Sequence, residues 1–156
     1  TGLYGAVLIL PPVLLISAIV SQWVPYEHDV LNNLALLPDP WVFVACFLST
    51  AVLTPMLEEF MFRGLLQGGL QAAVDHEIDQ FDIWKPQSAV PILVTSVVFA
   101  AMHWGQGAAC IPLFFLSLGL GYLYRQTGSL AAPVMIHMIL NGVTLLAEYS
   151  RSQMVA

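Results

Sequence analysis

Two adjacent carboxylates, Glu58 and Glu59, with Arg63 one helical turn further on, lie inside an apolar run covering residues 41–73. His103, His137 and Asn141 interrupt other apolar stretches in the same way. An ionisable group in hydrocarbon costs about 2.5–3.5 kcal/mol even on the lenient insertion scale, so groups kept there are read first as functional. Spacing separates the two acids. Glu59 and Arg63 stand four residues apart, and on a helix they can pair and neutralise each other. Glu58 points about 100° away from Glu59 and has no such partner; it needs a water, a histidine or a metal. His137 and Asn141 are also four apart, presenting two polar groups on one face, suited to donating hydrogen bonds to one ligand oxygen. Phe99, one turn before His103, walls the same face with an aromatic ring. A carboxylate, a histidine and clustered donors around one cavity are equipment for activating water. The carboxylate takes a proton, and the donors hold the oxyanion of a tetrahedral intermediate. That chemistry is peptide-bond hydrolysis within a membrane.

The elements that must position these groups are apolar to an unusual degree. The chain has 156 residues, of which 58% are hydrophobic and 9% charged, and its mean hydropathy is +0.80. Soluble domains carry about 25% charged residues. The expected architecture is all-α: a polytopic membrane helix bundle of about five apolar segments, one of them a long kinked helix carrying the Glu pair. The expected location is the membrane of a bacterial cell, with several passes. With only Arg63, Lys85, Arg125 and Arg151 as fixed cations and a net charge of −6, no basic stripe exists for nucleic acid and no polybasic segment for anionic lipid heads. Cys46 and Cys110 sit in apolar runs and read as small buried hydrophobes, not as a disulfide or metal site. Thr1 opens the chain and no cationic stretch precedes the first apolar run, so further segments upstream are expected.

The first apolar segment covers residues 3–24, and Pro11-Pro12 should bend or break it early. Residues 25–40 are polar, with a short amphipathic turn expected on the membrane surface. The second segment, residues 41–73, would make roughly 50 Å of helix against about 30 Å of hydrocarbon, with Pro55 the obvious place to kink. A hydrophilic loop covers residues 75–88. The third segment covers residues 90–104 and the fourth residues 108–124, separated by Gly105-Gln106-Gly107; the fifth covers residues 130–149, with Ser129 as N-cap. No internal repeat is visible. Strict alternation puts Lys85 and Arg125 on one face, which the positive-inside rule makes cytoplasmic by two cations against one. Measured from that face on straight helices, Glu58 lies about 22 Å deep, His103 about 20 Å, His137 about 12 Å and Asn141 about 18 Å. Three separate helices thus carry their strongly polar side chains into one layer, and these groups are expected to meet.

Taken together, Glu58-Glu59-x-x-x-Arg63, Phe99-x-x-x-His103 and His137-x-x-x-Asn141, in that order, resemble the motifs of the CPBP intramembrane proteases, which include type II CAAX prenyl endopeptidases and bacterial Abi proteins. The resemblance extends to Phe62-Arg63-Gly64 and Thr127-Gly128-Ser129-Leu130-x-x-Pro133, and covers about residues 54–143. It implies that Glu58 and His103 activate water, that His137 and Asn141 form the oxyanion hole, and that Glu59 and Arg63 order the site. A catalytic domain is expected over residues 41–150, with residues 1–40 as a membrane helix and surface loop upstream. The implied activity is endopeptidase cleavage of a membrane-associated polypeptide, prenylated and CAAX-like in the family's own pattern.

Metal dependence stays open at this stage. Glu58, His103 and His137 make up the two-histidine, one-glutamate set of a catalytic zinc site, whereas a water-only mechanism needs no metal. Two other function classes use the same residues. A proton-coupled transporter would relay protons along them, but no repeat or second broken helix of the transporter kind is seen. A non-catalytic membrane scaffold or immunity protein would keep the fold without turnover. The same residues also admit structural roles: a packing ion pair for Glu59 and Arg63, a satisfied core histidine for His103, and interhelical hydrogen-bond glue for His137 and Asn141. Trp23, Trp41, Trp84 and Trp104 read as interface anchors, while His28 and His76 lie in polar loops without a role.

Overall fold

The computed structural model describes residues 2–24, 39–75 and 88–155. Five long helices follow in order among them: α1 (Gly2–Val20), α2 (Pro40–Val74), α3 (Val90–Met102), α4 (Cys110–Thr127) and α5 (Ala131–Val155). The chain is an all-α membrane helix bundle. By length and apolarity α1, α2 and the Ala131–Arg151 part of α5 can each cross a bilayer, and α3 is apolar but shorter. The amphipathic turn expected near residues 25–38, the loop over residues 76–87, and with them His28, His76, Trp84 and Lys85, lie outside the described residues.

The distribution of polarity is the reverse of a water-soluble fold. Glu59 and Arg63 are fully buried, as are Gln67, Gln71, Thr95, Ser96 and Ser117, whereas Leu8 is 74% and Leu57 64% exposed. Hydrocarbon can take apolar side chains on the outside but cannot hydrogen-bond, so polar groups turn inward. An apolar core forms where α1, α4 and α5 meet, from Ala6, Val13, Leu116, Leu120, Ile136 and Leu140. A smaller one joins α2 to α5 through Ala51 and Leu145, flanked by Phe43 stacked on Tyr149 at 4.2 Å. Cys46 and Cys110 are free and half-buried.

Local chemistry explains the helix ends. Asp39 caps α2 by accepting from the Trp41 N–H at 2.7 Å, with Pro40 in the first turn where its missing N–H costs nothing. α4 stops at Gly128, which takes the left-handed conformation at φ 61° and donates its N–H to the Tyr124 carbonyl at 2.8 Å. Ser129 then accepts the Ala131 N–H at 3.2 Å to start α5. At the opposite end of the α3–α4 pair, Gly107 (φ 59°) turns the chain after a short 3-10 stretch, Trp104–Gln106.

Two prolines behave differently from expectation. Pro11-Pro12 does not break α1, which stays helical through both. A break in hydrocarbon would strand more backbone groups than the two missing N–H donors do, and α1 is held on α4 and α5. In α2 the adjustment takes a particular form. The helix is continuous, but it widens into π-helical register at Leu48–Leu53, just before Pro55, and again at Phe60–Gln67, just after the Glu pair. Such widenings are a known means of absorbing a proline or of re-aiming side chains.

Candidate active site

α2, α3 and α5 bring Glu58, Glu59, Arg63, His103, His137 and Asn141 into one neighbourhood, as their depths along the segments suggest. Arg63 Nε lies 2.9 Å from Glu59 Oε2, off the hydrogen-bonding direction, with both side chains fully buried. The other Glu59 oxygen, Oε1, lies 3.0 Å from His137 Nδ1. Glu59 therefore links its own helix to α5. An ionised carboxylate only accepts, so His137 carries its proton on Nδ1 and turns Nε2 toward Glu58, whose Oε2 is 3.6 Å away.

His103 is fixed by the same logic. It caps the C-terminus of α3, and its Nδ1 lies 2.8 Å from the Phe99 carbonyl. A carbonyl accepts, so Nδ1 holds the hydrogen and Nε2 faces Glu58 Oε1 at 3.8 Å. Both contacts to Glu58 exceed direct hydrogen-bond length, so neither histidine ties up its carboxylate. Phe99 packs among these groups, fully buried. Its ring centroid is 4.8 Å from His103, 5.8 Å from His137 and 4.9 Å from Phe62, and the Arg63 guanidinium carbon lies 5.5 Å away.

Glu58, His103, His137 and Asn141 all line one cavity of about 210 Å³. Glu58 remains 24% exposed there, whereas Glu59 is sealed off. Asn141 Nδ2 donates to the Thr50 carbonyl at 3.0 Å while its side chain lines the cavity. The remaining wall includes residues that sequence patterns do not single out: Thr50 and Thr54 on α2, Thr144 on α5, and Val13, Leu14 and Ser17 on α1. Thr50, Thr54 and Glu58 repeat at four-residue spacing, a polar stripe that could have flagged the first two. Nothing in α1 marks its role.

A second polar stripe continues from the site. Glu59, Arg63, Gln67, Gln71 and Asp75 follow one another every four residues along α2. Gln67 Nε2 donates to the Gly121 carbonyl on α4 at 2.9 Å. Gln71 donates to Asp75 and, at 3.1 Å, to the Ser88 carbonyl, which also accepts from Arg125 at 3.1 Å. These bonds hold α2 against α3 and α4 at the end of the helix away from the cavity.

The donor chemistry of Glu58, His103 and His137 suits zinc, and each histidine has its Nδ1 held by an acceptor as metal ligands do. Among the described residues no three or more His, Cys, Asp or Glu side chains are drawn together as a closed metal site.

Comparison with known proteins covers the stretch that carries these residues. The family model described as "Type II CAAX prenyl endopeptidase Rce1-like" matches residues 40–143. The membrane-embedded CAAX protease MroQ of Staphylococcus aureus (strain USA300) is 30% identical over 103 residues, covering 63% of this chain and 37% of that relative. The aligned part is thus little more than a third of the relative's length. No solved structure matches. The matched span covers two thirds of the chain and takes in Glu58, Glu59, Arg63, His103, His137 and Asn141: the chain is a member of the type II CAAX prenyl endopeptidase Rce1-like family.

Proposed function

We propose that this protein is an intramembrane endopeptidase that hydrolyses a peptide bond in a membrane-associated polypeptide, including CAAX-like prenylated ones, in the membrane of a bacterial cell. The observation that carries the reading is the partly exposed Glu58 facing the Nε2 atoms of two histidines across a cavity. Residues 41–150 form the catalytic unit, and residues 1–40 supply an upstream membrane helix.

Water bound between Glu58 and His103 gives a proton to Glu58 as its oxygen attacks the scissile carbonyl. His103 accepts from the same water and keeps it oriented. With its Nδ1–H on Glu59, His137 offers Nε2 to the reaction, and when it carries a hydrogen there it joins the second N–H of Asn141 in donating to the oxyanion. Glu58 then returns its proton to the leaving amine, and the peptide bond is cleaved with water consumed. Glu59, held by Arg63, keeps His137 in the tautomer and orientation this requires.

The test is cleavage of a fluorogenic farnesylated peptide ending in a CAAX sequence, presented in detergent micelles. Wild type should turn over, and Glu58→Gln should lose about 10²–10⁴-fold. Cleavage that survives Glu58→Gln overturns the mechanism. The same assay with a chelator decides whether a divalent metal such as zinc takes part. Proton flux in liposomes without peptide cleavage would favour transport instead.

A further inference from the structure

The Thr50 carbonyl occupies an unusual position in α2. In α-helical register it would accept from the Thr54 N–H, four residues on. Here the Thr54 N–H donates to the Ser49 carbonyl instead, one residue further back, in the π-helical register of Leu48–Leu53. In that register the donor for Thr50 would come from residue 55, and residue 55 is proline, which has no N–H. Neither helical register therefore supplies a donor. A carbonyl stranded in an apolar bundle must find another partner. Asn141 Nδ2 from α5 fills the role at 3.0 Å.

We propose that Pro55 is a positioning residue for Asn141: by withholding a backbone N–H it leaves the Thr50 carbonyl to grip the Asn141 amide and set its orientation at the cavity wall. Because Thr50 presents an acceptor, the nitrogen of the Asn141 amide, not its oxygen, faces α2. An amide nitrogen has two hydrogens, and the one not used by Thr50 is left for the cavity. Without the grip, the side chain could rotate and offer its oxygen, which would repel an oxyanion. The π-helical turn, the proline and the asparagine thus act as one device built across two helices. The catalytic consequence rests on the peptidase reading, while the structural part does not.

Pro55→Ala tests it. Whichever register α2 then adopts, the Thr50 carbonyl gains a backbone donor, from the N–H introduced by the substitution if the π turn persists and from Thr54 if it relaxes. In protein labelled with ¹⁵N-asparagine, the Asn141 side-chain amide, assigned by its loss in Asn141→Ala, should move upfield in Pro55→Ala. Stability should be non-additive: Asn141→Ala should lower the melting temperature of the protein that keeps Pro55 but have much less effect when combined with Pro55→Ala. On the farnesylated peptide, Pro55→Ala should lower kcat on the order of 10- to 100-fold with KM kept, and should add nothing to Asn141→Ala. If Pro55→Ala does not fold, the Thr50 carbonyl ¹³C resonance still decides, since it should move upfield in Asn141→Ala. An unmoved Asn141 amide, an additive stability cycle, or an unmoved Thr50 carbonyl overturns the proposal. Because amide shift and stability need no turnover, a protein without peptidase activity would sink the functional reading and leave this one standing.

Discussion

His137 and Glu59 meet at 3.0 Å between ring Nδ1 and carboxylate Oε1, joining α5 to α2 behind the cavity wall. The bond divides the labour between the two adjacent acids. Glu59 commits one oxygen to His137 and lies with the other against Arg63, whereas Glu58 makes only longer contacts and keeps access to the cavity.

Substituting the two acids should therefore separate stability from turnover. Glu58→Gln should leave the melting temperature nearly unchanged while peptide cleavage collapses. Glu59→Gln should lower both, because the amide cannot balance Arg63 and can turn its NH₂ toward the His137 N–H. Thermal melts run beside the cleavage assay check this; equal effects from both substitutions would contradict the division.

Arg63→Met alone should be severe. It leaves Glu59 ionised and uncompensated in a fully buried position, at a cost of about 3–5 kcal/mol. Replacing both residues with apolar side chains should recover most of that stability, since buried pairs are often no more stable than well-packed hydrophobes. It should not recover cleavage, because His137 would still lack its Nδ1 partner. Chemical unfolding of the single and double variants in micelles gives the comparison.

Close packing of α2, α3 and α4 predicts opposite outcomes at two glycines. A Cβ at Gly121 would stand 2.9 Å from Gln67 Oε1 and 3.0 Å from Ile92 Cγ2, and would press on the side chain that bonds the Gly121 carbonyl. Gly121→Ala should cost about 1–3 kcal/mol by overpacking. At Gly69 nothing lies within 4 Å of the added carbon, so Gly69→Ala should stabilise by about 0.4–1 kcal/mol through reduced freedom of the unfolded chain. Melting temperatures of the two variants, moving in opposite directions, are the readout.

The hydrogen bonds at the far end of α2 should matter for stability and not for chemistry. Gln71→Leu removes the donor to Asp75 and to the Ser88 carbonyl, at a cost of about 1–3 kcal/mol. Well below the melting transition, kcat and KM should stay at wild-type values. A fall in kcat would show that this end of α2 communicates with the cavity.

The five helices were legible in the sequence because the signal that marks them, apolar length, is the property the bilayer selects. The meeting of Glu58, His103, His137 and Asn141 was legible for a related reason: polar groups are so costly in hydrocarbon that similar depth on different helices implies a shared interior. The Glu59–Arg63 pair follows from four-residue spacing on one helix. What spacing cannot give is the partner across a helix interface. The bond from Glu59 to His137 and the grip of Thr50 on Asn141 depend on rotation and register, and α2 changes register twice around the site. Pro11-Pro12 misled for the opposite reason. A local rule derived in water overstates how readily a helix breaks where no water can serve the freed carbonyls.

The helix nearest the N-terminus stands outside the span shared with the family, yet Val13, Leu14 and Ser17 form one side of the cavity. The span that defines the family and the span that encloses the cavity therefore do not coincide. A fragment cut to residues 40–143 would keep Glu58, His103, His137 and Asn141 and lose the α1 side of the chamber around them.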